Sequence, residues 1–177
     1  MSPRFNRQWL IRSACTAAIS GMFAMGALAN EGAIAQGTVL PMPQSAEDTP
    51  FASDREAVMW RQDELKDLER LVRQLRFDLV NNRDARGAAP RLAELRERAT
   101  QAHFLPAFIA GTHGRGSDAR PQIWEEWDAF AAGFTDLAQH VEALIEAAEQ
   151  EDYRAATQRL SDVGLSCRSC HRAYRYD

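Results

Sequence analysis

The stretch that decides the fold is IWEEWDAFAAGFTDLAQHVEALIEAA, residues 123–148. Its apolar residues recur at alternating intervals of four and three positions. The members of this series are Ile123, Trp127, Phe130, Phe134, Leu137, Val141, Leu144 and Ala148. Because an α-helix has about 3.6 residues per turn, this spacing aligns the apolar side chains along one face. The sequence therefore predicts a long amphipathic helix that buries this face.

Three further segments show helical spacing. Ser53 and Glu56 form a capping-box pattern at the start of the first helix. The second helix is predicted to begin near Pro90, at its N1 position, and the fourth runs from an N-cap at Asp152 to Tyr174. The apolar series of the first two are Val58, Leu65, Leu68, Val72, Leu75 and Leu79, then Leu92, Leu95 and Ala99.

These four helices predict an all-α fold, an antiparallel up-down four-helix bundle, because the amphipathic segments are joined mostly by short loops. Residues 104–121 form the one long loop, which holds three glycines and two prolines. No segment alternates with a period of two, so no β-sheet is predicted.

The first 35 residues have the layout of a secretory signal peptide. Three arginines precede an apolar run rich in small residues, and small-x-small cleavage patterns end at Ala29 and Ala35. We expect cleavage after Ala35 and export to the periplasm; a retained membrane anchor is the alternative. Residues 1–35 are therefore assigned to the signal peptide, 36–52 to an extended or disordered lead-in, and 53–177 to the bundle.

The charge of the mature chain excludes two classes of partner. It would hold 142 residues (177 − 35), with 18 basic side chains (21 − 3) and 24 acidic ones (25 − 1), a net charge of −6. Lys66 is its single lysine, and there is no basic tract. We therefore predict no nucleic-acid partner and no membrane association after signal cleavage.

The chemistry is concentrated near the end of the last helix, where SCRSCHRAYR, residues 166–175, contains C-x-x-C-H. Cys167 and Cys170 lie one helical turn apart, and His171 follows Cys167 by four positions. A disulfide across this spacing closes a tiny loop and stabilises little. A zinc site needs further ligands, and no second C-x-x-C or H-x-x-x-H exists in the chain.

A thioredoxin-type redox motif belongs to a βαβ unit and does not need the histidine. Two thiols one turn apart can instead add to the two vinyl groups of a porphyrin, while the adjacent imidazole reaches the iron. In an exported helical chain, the motif predicts one covalent haem c, with Cys167 and Cys170 as attachment points and His171 as the iron ligand.

A C-x-x-C-H motif near the end of a four-helix bundle resembles the class II c-type cytochromes, specifically the cytochrome c prime family. The resemblance covers residues 54–175. It rests on EAVMWRQDEL in the first helix, GSDARPQIW before the third, and DVGLSCRSCHRAYR in the fourth. It implies a four-helix bundle with covalently attached haem.

The resemblance also implies roles for individual residues. Cys167 and Cys170 match the thioether cysteines, and His171 matches the proximal iron ligand. Arg175, four positions after His171, matches an arginine that lies over the proximal face of the haem. Leu65 matches the residue that faces the sixth coordination position of the iron.

Two more residues complete the predicted site. Arg61 matches a first-helix arginine near the haem propionates, which agrees with its place on an otherwise apolar stripe. The alternative for Arg61 is a side chain that snorkels at the edge of the bundle. Phe108, in the loop before the third helix, is expected to complete an apolar lid over the open face of the iron.

Leu65 decides the predicted function. A methionine at this position would bind the iron and give a low-spin electron-transfer cytochrome of the c-556 kind, which is the alternative function. Leucine has no lone pair, and Met59 lies about 120° from the stripe. We therefore predict five-coordinate, high-spin iron. An apolar pocket offers bound dioxygen no hydrogen-bond donor, so NO and CO are the predicted ligands.

The resemblance agrees with this prediction, since it implies NO and CO binding and a role in NO tolerance in the bacterial periplasm. We rank a protein that scavenges or carries NO first and an electron shuttle with a redox partner protein second. A peroxidase-like enzyme would need a distal acid and base, and the stripe offers only Arg61, so no enzyme is predicted. The resemblance also implies a homodimer through the first two helices, with exposed Trp60 or Leu71 at the interface.

Overall fold

The computed structural model describes residues 38–176. The chain divides into two units, residues 1–34 and 35–177, and the following description concerns the second unit. The predicted signal peptide lies outside the described residues and stays a prediction. Within the described part of the chain, no helix is long and apolar enough to cross a membrane.

Residues 38–176 contain four long and two short α-helices. They are α1 (Asp54–Arg76), α2 (Ala85–Arg98), α3 (Gln101–Phe104), α4 (Gln122–Glu125), α5 (Trp127–Glu149) and α6 (Tyr153–Tyr174). A π-helical segment, Phe77–Asn82, continues α1, and 3-10 turns lie at Ala46–Asp48 and Leu105–Ala107. The long helices pack α1 on α2, α2 on α5 and, most extensively, α5 on α6. This architecture confirms the predicted all-α four-helix bundle.

The first and last long helices begin where the sequence predicts. The Ser53 hydroxyl accepts a hydrogen bond from the Glu56 N–H at 3.2 Å, and the Glu56 carboxylate accepts one from the Ala52 N–H at 2.7 Å. At α6, the Asp152 carboxylate accepts from the Ala155 N–H at 3.0 Å. Both caps satisfy backbone donors that a helix start leaves without partners.

The predicted start of the second helix at Pro90 is wrong. The helix begins one and a half turns earlier, at Ala85, because the Asp84 carboxylate caps it by accepting from the Gly87 N–H at 2.8 Å. Pro90 lies inside α2, where it lacks the N–H that would bond to the carbonyl of Arg86. Both residues are exposed, so water can reach that carbonyl.

The third predicted helix is interrupted near its start. Ile123 lies in α4, while the rest of the apolar series lies in α5, and Glu126 between them has a non-helical backbone (φ −119°, ψ 40°). After this break, the Trp127 Nε1–H donates to the carbonyl of Leu40 at 2.8 Å. Periodicity alone did not reveal the break, since the apolar spacing continues across it.

Residues 38–45, here called the N-terminal strap, lie extended against the bundle. The Leu40 N–H donates to the Gln101 side chain at 3.1 Å, and the carbonyl of Pro43 accepts from the Ala110 N–H at 2.9 Å. Pro43 is buried, and neighbouring apolar side chains of the strap pack on the core. The strap thereby supports the segment that follows α3.

Neither of the two residues predicted to be exposed at a homodimer interface, Trp60 and Leu71, is fully exposed. Leu71 is buried in the core, with only 4% of its surface exposed, so its predicted place on an exposed surface is wrong. It lies three positions after Leu68 and four before Leu75, which puts it on the buried face of α1. Trp60 is half-buried, and its ring packs against those of Phe51 and His103 at 5.3 Å between centroids.

Candidate functional site

A cavity of about 210 Å³ lies between α1, residues 108–121, the start of α5 and the end of α6. Six of the seven predicted site residues line it: Arg61, Leu65, Phe108, Cys170, His171 and Arg175. Cys167 does not line the cavity and lies one helical turn before Cys170 on the same helix. The fold thus gathers onto one cavity residues that are more than 100 positions apart in sequence.

The α6 wall of the cavity carries the reactive groups. Cys167 and Cys170 are free, half-buried thiols. Burial raises the pKa of both, and burial together with the neighbouring Cys167 raises that of Cys170 to about 11. Both groups are therefore protonated thiols near neutral pH.

His171 lies on the same wall and is partly exposed to solvent. Loss of hydration lowers the pKa of its imidazole, and the positive charge of Arg175 lowers it further. The neutral imidazole is therefore favoured near neutral pH. This is the protonation state that has a ring nitrogen lone pair for a metal ion.

The opposite wall, formed by α1 and the loop after α3, is apolar at its centre. Leu65 lies half-buried on α1, and Phe108 is buried, with its ring edge-on to that of Phe130 at 4.8 Å between centroids. Ile123 adds a further aliphatic surface. None of these four side chains has a hydrogen-bond donor, so this part of the cavity cannot donate to a bound molecule.

Arg61 is a charged residue on this wall, and it is only 2% exposed. Its Nη1 donates to the carbonyl of Ala107 at 2.9 Å and to the Thr112 hydroxyl at 2.8 Å. Its Nη2 donates to the carbonyl of Thr112 at 2.6 Å and to the Ser117 hydroxyl at 2.8 Å. The guanidinium also lies 4.7 Å from the centroid of the Phe108 ring.

This burial rules out the snorkelling alternative for Arg61. A guanidinium has five N–H donors, and four of them are directed at the loop, which leaves only the Nε–H for another partner. Burial lowers the pKa of Arg61 to about 10, so the side chain stays charged near neutral pH. Its first role in the structure is to tie α1 to the loop that carries Phe108.

Sequence reasoning did not identify Thr112 and Ser117, whose side chains accept hydrogen bonds from Arg61. The lone cation on the apolar stripe was a signal that a buried acceptor exists somewhere. Nothing local identified the acceptor, because Thr112 and Ser117 lie 51 and 56 positions from Arg61 in a glycine-rich loop. Gly111, within this segment, has a backbone φ of +75°, which glycine adopts without strain.

A short backbone pairing fixes the end of α6 against the loop. Ala119 and Arg175 form an isolated antiparallel bridge. The Arg120 N–H donates to the carbonyl of Tyr174 at 2.9 Å, and the Tyr176 N–H donates to that of Asp118 at 2.8 Å. The Arg175 guanidinium lies 4.0 Å from the Asp118 carboxylate. This pairing holds the two walls of the cavity together at its mouth.

The donor set of the cavity fits a porphyrin bound at one edge. Two thiols on one helix are spaced for two thioether bonds, a neutral imidazole lies beside them, and the facing surface is apolar. The positively charged side chains of Lys66 and Arg175 also line the cavity and can form ion pairs with the propionate carboxylates of a porphyrin. A helical bundle with this arrangement belongs to the class of c-type cytochromes.

Comparison with known proteins places the chain within that class. The sequence profile of the cytochrome c′ family matches residues 56–175, so the chain belongs to the cytochrome c′ family. Members of this family carry covalently bound haem c with iron, which confirms the predicted cofactor and the predicted family.

Among known relatives, cytochrome c′ of Alcaligenes xylosoxydans xylosoxydans is 38% identical over 74 residues, which are 40% of this chain and 56% of that protein. The chain thus spans about half the length of the curated relative that it matches. Among solved structures, a carbon monoxide-bound variant of the Alcaligenes xylosoxidans cytochrome c prime has a TM-score of 0.64 and 28% identity. The nitric oxide complex of another variant has the same values. Each comparison covers 72% of this chain, with 99% and 98% of the respective structures.

Proposed function

We propose that this chain is a periplasmic haem c protein that binds NO and CO at five-coordinate, high-spin iron and scavenges or carries NO. The observation that carries the proposal is the position of Leu65 and Phe108 on the cavity wall that faces His171 and Cys170. Neither side chain has a lone pair for iron, so the side of the cavity opposite His171 is left to an external ligand.

In this proposal, Cys167 and Cys170 would hold the porphyrin through thioether bonds, and the imidazole of His171 would bind the iron. The bound haem supplies an iron that binds diatomic gases and cycles between the ferric and ferrous states. Arg175 lies next to His171 at the mouth of the cavity, where its charge acts on the imidazole. Arg61 holds the loop in place and has one N–H, on Nε, left for a propionate.

The apolar wall also supports the choice of gas. Iron-bound dioxygen carries partial negative charge and is stabilised by a hydrogen-bond donor on the distal side, which Leu65 and Phe108 do not provide. NO and CO do not need such a donor. Variants of one relative, the Alcaligenes xylosoxidans cytochrome c prime, have solved structures with CO and with NO bound, which supports these two ligands for this chain.

The optical spectrum of the reduced mature protein tests the proposal against the electron-transfer alternative. We expect the broad bands of a high-spin haem and large spectral changes when NO or CO is added. Sharp, split bands typical of a low-spin haem, unchanged when CO is added, would contradict the proposal and favour an electron carrier of the c-556 kind. The same sample treated with acidified acetone should keep its haem on the polypeptide.

Export and assembly are parts of the same proposal. Cleavage after Ala35 predicts Gln36 as the first residue of the mature protein, which N-terminal sequencing of the periplasmic fraction would identify. Recovery of the full-length chain in the membrane fraction would instead support a retained anchor.

For the proposed homodimer through α1 and α2, sedimentation of the mature holoprotein should give twice the monomer mass.

A further inference from the structure

A second depression lies beside the cavity and shares His171 with it. Its lining side chains are Arg120, Arg168, His171 and Arg172. The last three lie on one side of α6, at positions i, i+3 and i+4, while Arg120 comes from the segment before α4. Every lining side chain is therefore a guanidinium or an imidazole. We call this group the arginine depression.

The positive charges in the arginine depression lack counterions. Among residues 38–176, no carboxylate forms an ion pair with Arg120, Arg168 or Arg172, whereas the neighbouring Arg175 lies 4.0 Å from Asp118. Three guanidiniums on one small surface repel each other unless an anion lies between them. This local positive charge contrasts with the net negative charge of the chain.

Arg120 also has a donor without an acceptor. Its Nη1 donates to the carbonyl of Arg172 at 3.2 Å, and its guanidinium lies 5.4 Å from the centroid of the Tyr176 ring. Its Nε is buried and has no hydrogen-bond partner in the described part of the chain. Buried donors are almost always satisfied in folded proteins, so this one indicates a missing acceptor.

The environment of His171 points to the same missing group. An imidazole that binds a metal through one nitrogen commonly donates its other N–H to a carboxylate, a carbonyl or water. In the arginine depression, the side chains next to His171 are guanidiniums, which donate hydrogen bonds and cannot accept them. The described side chains offer no acceptor on this side of the imidazole, whereas the cavity on its other side is lined by Glu69, whose charge acts on the imidazole.

We propose that the arginine depression binds a small oxyanion, such as inorganic phosphate or sulfate. Guanidinium groups bind such anions through paired, charge-assisted N–H donors, and three of them line this surface. The bound anion places negative charge beside His171. The negative charge stabilises the ferric over the ferrous state of a haem iron bound to His171 and so lowers the reduction potential. This part of the proposal rests on the proposed function.

Calorimetric titration of the mature holoprotein with inorganic phosphate, at an ionic strength held constant with chloride, measures the binding directly. We expect saturable binding, weakened at least about tenfold in Arg168→Gln/Arg172→Gln. Arg120→Gln, which leaves the sequence around the C-x-x-C-H motif unchanged, is expected to weaken binding as well. The matched control is Arg86→Gln/Arg154→Gln, which removes two exposed arginines elsewhere and should bind phosphate like the parent protein.

Absence of saturable phosphate binding in the parent protein, or an equal loss in the control, would overturn the proposal. Asp177 lies outside the described residues, so Asp177→Asn is included. Phosphate binding that appears only in Asp177→Asn would also overturn it, because the side-chain carboxylate of Asp177 would then fill the depression in the parent protein. Potentiometry should show a lower reduction potential with saturating phosphate, and no such shift in Arg168→Gln/Arg172→Gln. Binding without any shift would refute the link to His171 but leave the gas-binding proposal untouched, since the optical spectrum tests that separately.

Discussion

The two walls of the cavity differ in how the chain builds them. On α6, Cys167, Cys170 and His171 lie within five consecutive residues, and a single helix sets their spacing. The facing wall instead combines Leu65 from α1 with Phe108 from a loop, and Arg61 joins these two elements across 46 to 56 positions. In the proposed function, the first wall holds the cofactor, whereas the second controls which ligand can approach it. Under that proposal, attachment is a local property of the sequence, and ligand choice is a property of the fold.

The largest expected effect is on the α6 wall. In Cys167→Ser/Cys170→Ser, neither side chain can form a thioether, so we expect complete loss of covalently attached haem. Haem staining after denaturing electrophoresis measures this loss. The control Ser166→Ala/Ser169→Ala changes the same helix between and beside the cysteines and should retain haem. Haem that stays attached after both thiols are replaced would show that this wall does not hold the cofactor.

On the facing wall, Arg61→Met is expected to have the largest effect on stability. The variant leaves four oxygen acceptors on Ala107, Thr112 and Ser117 without their donor in a buried site, and we expect the free energy of unfolding to fall by about 2–4 kcal/mol. Urea denaturation of the mature holoprotein measures this value. Arg70→Met, which removes an exposed arginine paired with Asp67, should cost less than about 1 kcal/mol. Equal losses in the two variants would mean that Arg61 does not anchor the loop.

A smaller effect is expected behind Leu65, at Glu64. Its carboxylate accepts from the Arg98 Nε–H at 2.6 Å and lies 2.7 Å from the His103 Nε2, which links α1 to α2 and α3. Burial raises the pKa of Glu64, but the hydrogen bonds from His103 and Arg98 outweigh burial and lower it below 4.5. The stabilisation is therefore present above this value and is lost as the pH falls through the lower, folded-state pKa.

Glu64→Gln tests this link between the helices. We expect a loss of about 1 kcal/mol in the free energy of unfolding near neutral pH, which shrinks in acid as the parent carboxylate becomes protonated. Urea denaturation across a pH series measures the difference. Asp67→Asn, at a partly exposed position on the same helix, should change little at any pH. A loss in Glu64→Gln that is independent of pH would show that the charge of Glu64 is not what stabilises this contact.

Apolar spacing predicted the elements whose signals are local and repeated. The series from Trp127 to Ala148 lies within α5, and the caps at Ser53 and Asp152 mark the starts of α1 and α6. The error at Pro90 arose because a proline at N1 and a proline in an exposed helix interior look alike in sequence. Asp84, with an ordinary capping side chain, was the better signal.

The cavity divides in the same way. Cys167, Cys170 and His171 on its α6 wall followed from the C-x-x-C-H motif. Arg175 and Leu65 were assigned through a family resemblance, and Phe108 was named from its place in the loop before the third helix. The contacts of Arg61 with Thr112 and Ser117 could not be predicted, because the conformation of a long loop depends on packing with distant elements. Leu71 was wrongly predicted to be exposed, since α1 is buried on more than the one stripe that its periodicity emphasises.

The most direct test of the central claim is the optical spectrum of reduced Leu65→Met, compared with that of Leu68→Met. The two variants make the same substitution on α1, but only residue 65 lines the cavity, whereas Leu68 is 6% exposed within the core. Because leucine and methionine have similar volumes, each variant should lose less than about 1.5 kcal/mol of stability. We predict that Leu65→Met shifts toward a low-spin spectrum and loses affinity for NO and CO, since its sulfur can bind the iron, while Leu68→Met stays high-spin. A Leu65→Met protein with an unchanged high-spin spectrum and unchanged CO binding would contradict the placement of Leu65 opposite His171.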